Sequence, residues 1–261
     1  MAPRRLRLTR ERTYSSIFSI GVRIRVIMIK VKLIGYTREP EQNVTAAIRQ
    51  CYSAVGAKEI KKKVNQETIE RLIRQVLESG HTSTVEHASF TFAIEGVSRA
   101  CTHQLVRHRL ASYSQQSQRY VDLSKNKLNY ITPPDIAKNK KMLSEYKKTM
   151  AIIENRYRAM IQSGIKPEDA RFILPNACET KIVMTMNARS LLNFFKERCC
   201  NRAQWEIRTL ANLMLKEVKK VAPNIFQNAG PTCFNEKICW EGGRSCGRWQ
   251  TIKGAQLKSR I

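Results

Sequence analysis

Arg107-His108-Arg109-Leu110-Ala111-Ser112-Tyr113-Ser114-Gln115-Gln116-Ser117-Gln118-Arg119-Tyr120 is the stretch on which the reading of this chain turns. Its fourteen residues hold three arginines, a histidine, three serines and three glutamines. A surface helix keeps an apolar residue every three or four positions and a half-buried strand alternates; neither pattern persists here beyond Leu110. The stretch therefore reads as a binding loop. Two guanidinium groups flanking His108 raise the local positive potential, which opposes a metal cation and favours an anion. Their forks match phosphate oxygens bidentately, and Ser and Gln side chains add neutral hydrogen bonds that orient a ligand. An isolated Arg-His-Arg would read as a solvated basic surface. The Ser/Gln run that ends in Arg119 points instead to phosphate-ester recognition.

Working outward, Val97 to Val106 has helical spacing and leads into this loop, while Ala88 to Glu95 alternates as a strand with Phe90, Phe92 and Ile94 on one face. Gln66 to Ser79 is a helix with Ile69, Leu72, Ile73, Val76 and Leu77 on one side and Gly80 as its stop. All four histidines (His81, His87, His103, His108) fall within 28 residues. For any one of them taken alone, a hydrogen-bonded structural histidine is the simpler reading. A zinc cluster is opposed by the neighbouring arginines and by the lack of a Cys-x-x-Cys pair. Ile29 to Gly35 alternates as a strand, Asn43 to Ala54 reads as a short helix, and Met142 to Ile161 as a long one explained by core packing. Pro167 opens a further helix with Glu168 and Asp169 behind it, ending at Pro175. Thr180 to Met186 is strand-like, followed by helices over Ala188 to Cys200 and Ala203 to Val221. Beyond Pro223 the glycines mark a loop-like, flexible or lid-like tail. The mixture of strands and helices gives an α+β (α/β mixed) domain.

Arg107-His108-Arg109, seven further residues and Ser117 together resemble the RHRx7S motif of the flavin-dependent thymidylate synthases, the ThyX family. Segments in the same order extend the resemblance: His81-Thr82-Ser83-Thr84-Val85-Glu86-His87, Asn187-Ala188-Arg189-Ser190-Leu191-Leu192-Asn193-Phe194, and Arg198 followed by Ala203-Gln204-Trp205-Glu206-Ile207. It runs from roughly Ile29 to Ala229. The resemblance implies a ThyX-type fold, a central, largely antiparallel sheet flanked by helices in a single domain over residues 28–228. An Arg-rich extension, 1–27, precedes it and a basic Cys/Gly-containing tail, 229–261, follows.

The same resemblance implies conversion of dUMP to dTMP, with methylenetetrahydrofolate giving the carbon and NADPH-reduced FAD the hydride. His81, Ser83, Arg107, His108, Arg109, Gln115, Asn187, Arg189 and Asn193 would hold FAD. Gln104, Arg107, Gln115, Gln116, Ser117, Gln118, Arg119, Arg171 and Arg198 would hold dUMP, with Arg198 catalytic. Taken alone, Arg171 reads as one half of a structural ion pair. The family also implies a homotetramer with active sites shared between subunits.

Length and composition bound these readings. A chain of 261 residues with 42% hydrophobic and 26% charged residues can bury a core. A net charge of +26 and a pI near 10.1 predict attraction to polyanions. The alternative reading is therefore a basic nucleic-acid-binding protein with strongly salt-dependent affinity, although nucleic acid is not required for the enzyme. Residues 1–27 hold seven arginines against one glutamate, and Met28 is the expected functional start. The eight cysteines suggest reduced thiols in a cytoplasmic protein, the first four in core-like segments, and the spacing of Cys233, Cys239 and Cys246 is too irregular to predict a metal. No apolar run reaches the roughly 18 residues of a membrane helix. No Gly-x-Gly-x-x-Gly or Walker loop is present, so a dinucleotide would be held by side chains. Ser117 lacks a neighbouring base-and-acid pattern and reads as a phosphate ligand rather than a nucleophile.

Overall fold

A computed structural model describes residues 28–125 and 127–259. The Arg-rich stretch 1–27 and the start-site expectation attached to it lie outside the described residues. In chain order the elements are β1 (Lys30–Tyr36), α1 (Pro40–Gln50), α2 (Ala57–Lys63), α3 (Gln66–Glu78), β2 (Ser89–Ser98), α4 (Arg99–Leu105), β3 (Ala111–Gln115) and α5 (Pro134–Lys138). There follow α6 (Lys140–Gln162), α7 (Pro167–Ala170), β4 (Glu179–Asn187), α8 (Ala188–Arg198), α9 (Trp205–Val221), α10 (Thr232–Asn235), β5 (Ile238–Cys239) and β6 (Gln256–Leu257). The fold is α+β, as expected.

Four strands form one antiparallel sheet in the order β1-β2-β4-β3. Alternation along β2 and β4 turns Phe90, Phe92 and Ile94, with Ile182, Met184 and Met186, onto the same face, where all are buried. Helices α8 and α9 cover that face with Leu191, Phe194, Phe195, Leu210 and Met214. Phe226 completes the core edge-on to Phe90, with ring centroids 5.4 Å apart, an edge-to-face geometry favoured by aromatic quadrupoles. The opposite face keeps Lys32, Lys181, Ser112 and Ser114 exposed, and Thr91 and Thr185 share a hydroxyl hydrogen bond of 2.9 Å across it. α3 begins where Asn65 accepts from Thr68 N–H and ends before Gly80, whose φ of 77° suits glycine.

Several local expectations need correction. The basic stretch is not loop throughout: Ala111–Gln115 is the edge strand β3, paired with Met186–Ile182 of β4. Its alternation is short and carried by polar residues, so hydrophobicity hid it. Tyr113 and Gln115 face inward and satisfy their polar ends there, Tyr113 Oη with the Leu105 and His108 carbonyls at 2.9 and 2.8 Å. β2 runs on to Ser98 through a bulge between Ile94 and Val97 with Gly96 at φ 72°, so α4 starts at Arg99 rather than Val97. α1 begins earlier, with Pro40 in its first turn, and the short α2 had not been expected. Of Leu143, Tyr146, Met150, Ile153, Tyr157, Met160 and Ile161, which the spacing places near one face of the long helix α6, only Met150 and Tyr157 are buried. Cys51 is exposed, while Cys101, Cys178 and Cys199 are buried. The tail is not simply loop: it forms α10 and a two-stranded parallel β5–β6 pair, and Lys196 of α8 bonds Glu236 beside α10 at 2.6 Å. No helix among the described residues is long and apolar enough to cross a membrane.

Candidate active site

Three local assemblies gather most of the site residues. The first is built on the start of α8. Asn187 is its N-cap, accepting from Ser190 N–H at 2.9 Å, which sets the direction in which Arg189 and Asn193 leave the helix. The turn Thr82–His87, which carries Ser83 and begins next to His81, packs beside α8, and Arg189 bonds Glu86 at 2.6 Å. Both His81 and Ser83 are exposed. Arg189, Asn193 and Thr82 line a cavity of about 630 Å³ together with Arg74 and Lys196, two cations that the sequence reading had not singled out. Lys196 lay on what looked like an ordinary surface helix, and Arg74 on the polar side of α3.

The second assembly joins the basic stretch to Arg198. Arg198 Nε donates to His108 Nε2 at 2.9 Å across ninety residues of sequence, and the His108 ring stands edge-on to Phe194 with centroids 4.9 Å apart. Accepting that N–H requires the neutral imidazole. Burial, and then the Arg198 charge, push the His108 pKa below its ordinary value near 6.5, with Glu197 opposing. The unfolded chain takes up the proton first, so this contribution to stability is fully present above about pH 6.5 and is lost as pH falls through the lower folded value. We expect turnover to fall in the same acidic window, because an imidazolium repels Arg198. A pH profile of kcat that stays flat below 6.5 would contradict this pairing.

The third assembly lies around Glu168. Arg119 Nε bonds the Glu168 carboxylate at 2.6 Å, its guanidinium lies 5.2 Å from the Tyr120 ring centroid, and Arg171 Nε donates to the Glu168 carbonyl at 3.1 Å. Arg171 is thus held by a carbonyl, not by the ion pair that its acidic neighbours suggested. Arg99, at the start of α4, was missed by the sequence reading. Its protonated form is disfavoured by burial and by the nearby Arg171 charge, a strain that an anionic ligand would relieve. Ser117 Oγ accepts from Arg119 N–H at 3.1 Å and so shapes this turn. Gln116 lines a second cavity, of about 380 Å³.

The remaining residues are distributed around these assemblies. Gln115 donates to Thr102 and Thr180 hydroxyls at 2.9 and 3.2 Å, so its amide nitrogen already serves the fold. Gln104 and Gln118 are half-buried; Arg107 and Arg109 are exposed just past α4. Among the described residues no hydrogen bond or ion pair joins the α8 assembly to the Glu168 assembly.

Five of the eight cysteines are held in their weakly nucleophilic thiol form by burial. Burial raises the pKa of Cys178 to about 11 and of Cys199 to about 12, and raises Cys101, Cys200 and Cys233 as well, keeping these thiols protonated. Gly243-Arg244-Ser245-Cys246-Gly247 spells Gly-x-Ser-x-Gly, but its first two residues lie within the 3₁₀ turn Gly242–Arg244 instead of ending a strand. Among the described residues, Ser245 Oγ hydrogen-bonds with Cys239 Sγ and Gly247 N–H. Among the described residues no group of three or more His, Cys, Asp or Glu is disposed to hold a metal ion.

Among the described residues this α+β chain sets cationic and amide groups around two cavities, an arrangement suited to holding anionic ligands. The family model described as "Thymidylate synthase complementing protein" matches residues 32–224. The chain is 50% identical over 248 residues to a flavin-dependent thymidylate synthase of Clostridium tetani, spanning 88% of this chain and 97% of that one. It is 48% identical over 225 residues to that of Geobacter sulfurreducens (86% and 97%) and 44% identical over 220 residues to that of Pyrococcus abyssi (82% and 90%). A UMP/dUMP methylase, PolB, from Streptomyces cacaoi, solved with 5-Br dUMP, shares the fold with a TM-score of 0.64 at 22% identity, covering 77% of this chain and 93% of that one. The chain belongs to the flavin-dependent thymidylate synthase family, methyltransferases of dTMP biosynthesis.

Proposed function

We propose that the chain methylates dUMP reductively to dTMP, with methylenetetrahydrofolate as carbon donor and NADPH as the source of reducing equivalents, through bound FAD. The observation that carries this reading is the Arg198–His108 contact. It fixes one edge of the guanidinium, while the terminal nitrogens make no hydrogen bond among the described residues. Carbon 5 of uracil becomes nucleophilic as negative charge develops on the ring, and a guanidinium beside N3 and its neighbouring carbonyl stabilises that charge. Arginine stays protonated throughout, so its role is electrostatic.

The residues present fit a flavin dinucleotide. Arg74, Arg189 and Lys196 line the larger cavity, where a pyrophosphate would compete with Glu86 and Glu236 for Arg189 and Lys196, and Asn193, Asn228 and Asn235 offer neutral donors and acceptors. When bound, FAD would supply the hydride chemistry, while the protein supplies orientation and charge. On this reading His81, Ser83, Asn187, Arg189, Asn193, Arg107, His108 and Arg109 serve FAD. Gln104, Gln116, Ser117, Gln118, Arg119 and Arg171 serve dUMP, whose phosphate would relieve the Arg99–Arg171 repulsion. Gln115 serves chiefly by holding β3 to α4.

Among the described residues no hydrogen bond or ion pair joins the α8 group to the Glu168 group, which is compatible with a homotetramer whose sites are shared between subunits. Leu110, Tyr120 and Phe172, beside the site residues, are 78%, 77% and 82% exposed, more apolar surface than an isolated active-site rim needs. Sedimentation showing only monomers at micromolar concentration would remove that part. The activity is tested by incubating the purified chain with FAD, NADPH, methylenetetrahydrofolate and dUMP and following dTMP. Formation that depends on all four is expected, and its absence would refute the synthase reading.

A further inference from the structure

Two segments from opposite halves of the sequence run antiparallel past each other and are tied at both ends. At one end is the Arg198–His108 contact. At the other, Glu206 in the first turn of α9 accepts at Oε1 from Ser98 N–H and at Oε2 from the Ser98 hydroxyl, both at 2.6 Å. Ser98 in turn accepts at Oγ from Cys101 N–H at 3.0 Å, as the N-cap of α4. The buried Cys101 lies between the ties, close enough to Glu206 and Arg198 to feel both charges.

Glu206 is only 2% exposed. A buried carboxylate is expensive unless hydrogen-bonded, and both of its oxygens are satisfied here by a single residue. That residue stands where β2 hands over to α4. α4 is only seven residues long and acts as a short rigid lever, delivering Gln104, Arg107 and His108 from its far end. A shift at Ser98 is therefore carried to His108, and through it to the Arg198 guanidinium. Fold stability alone would be met by an apolar contact of the same volume; the paired hydrogen bonds set register as well.

We propose that Glu206 is a positioning residue for the reaction, acting through Ser98 to hold α4 where His108 meets Arg198. This rests on the synthase reading above. In the full-length, flavin-loaded enzyme, Glu206→Gln can still accept from Ser98 N–H and donate to Ser98 Oγ, so it should keep kcat within about 3-fold. Glu206→Leu and Ser98→Ala remove the tie and, assayed with saturating FAD and dUMP because α4 also delivers Gln104 and Arg107, should lower kcat about 10-fold, as small misplacements of catalytic groups do. In both, the acid limb of the kcat profile should move to higher pH, because loosening the contact exposes His108 and draws it away from the Arg198 charge, the two effects, burial first, that hold its pKa down.

Wild-type kcat and an unmoved acid limb in both Glu206→Leu and Ser98→Ala would overturn the proposal. So would a loss of kcat that saturating FAD restores, or a Glu206→Gln enzyme as slow as Glu206→Leu. A wild-type chain that forms no dTMP would instead refute the synthase reading on which it rests.

Discussion

Replacing Arg198 by alanine is expected to lower dTMP formation by about 10²- to 10³-fold, the usual cost of removing a preorganised donor aimed at developing charge. The flavin should remain bound, because Arg198 ends α8 whereas Arg189 and Asn193, which line the larger cavity, lie in its first half. Arg198→Lys should recover little of the loss. A lysine keeps the charge but cannot reproduce the planar fork that bonds His108 through one edge while presenting the other to a ligand. Loss of Arg198 also removes a positive neighbour from His108, so the histidine should titrate closer to its ordinary value. Steady-state turnover of Arg198→Ala equal to wild type would eliminate the electrostatic role.

The second large effect is expected at Arg119. Its ion pair with Glu168 is partly exposed and contributes little to stability, about 1 kcal/mol or less. The Arg119→Ala protein should therefore melt within a few degrees of wild type. Removing a charge-assisted contact to the nucleotide phosphate should instead raise the dUMP KM by about 10- to 100-fold with a smaller change in kcat. The expectation depends on Arg119 belonging to the cationic group with Arg99 and Arg171, where Glu168 keeps it oriented in the free protein. Loss of flavin with an unchanged dUMP KM would contradict the assignment.

Much of this architecture is written in hydrophobic period. α3, β2, β4, α8 and α9 are legible because Ile69, Phe90, Met184, Phe194 and Leu210 recur with the spacing of the element that buries them. β3 escaped because Ser112 and Ser114 alternate with Tyr113 and Gln115, and the inward polar ends are satisfied by Leu105, His108, Thr102 and Thr180, which only the folded chain brings near. α6 reads as an ordinary core helix, yet most of its apolar side is not buried within one chain. Sequence cannot distinguish a stripe meant for the core from one meant for a partner.

The candidate site was legible as a set of residues through the family resemblance, not as an arrangement. Arg-His-Arg followed by Ser and Gln announces an anion, but nothing local says that His108 meets Arg198, or that Arg99 joins Arg171. Glu206 looked like any acidic residue in a helix's first turn, where carboxylates are common for dipole reasons alone. Its burial and its double bond to Ser98 are long-range facts, created when the end of β2 packs against α9.

The most direct test is the visible absorption spectrum of the purified, FAD-loaded and dialysed protein, recorded before and after addition of dUMP. A retained flavin spectrum that dUMP perturbs saturably is expected, because nucleotide and flavin would share one site around His108 and Arg198. A protein that retains no FAD, or a bound-flavin spectrum indifferent to dUMP at any concentration, would contradict that central claim.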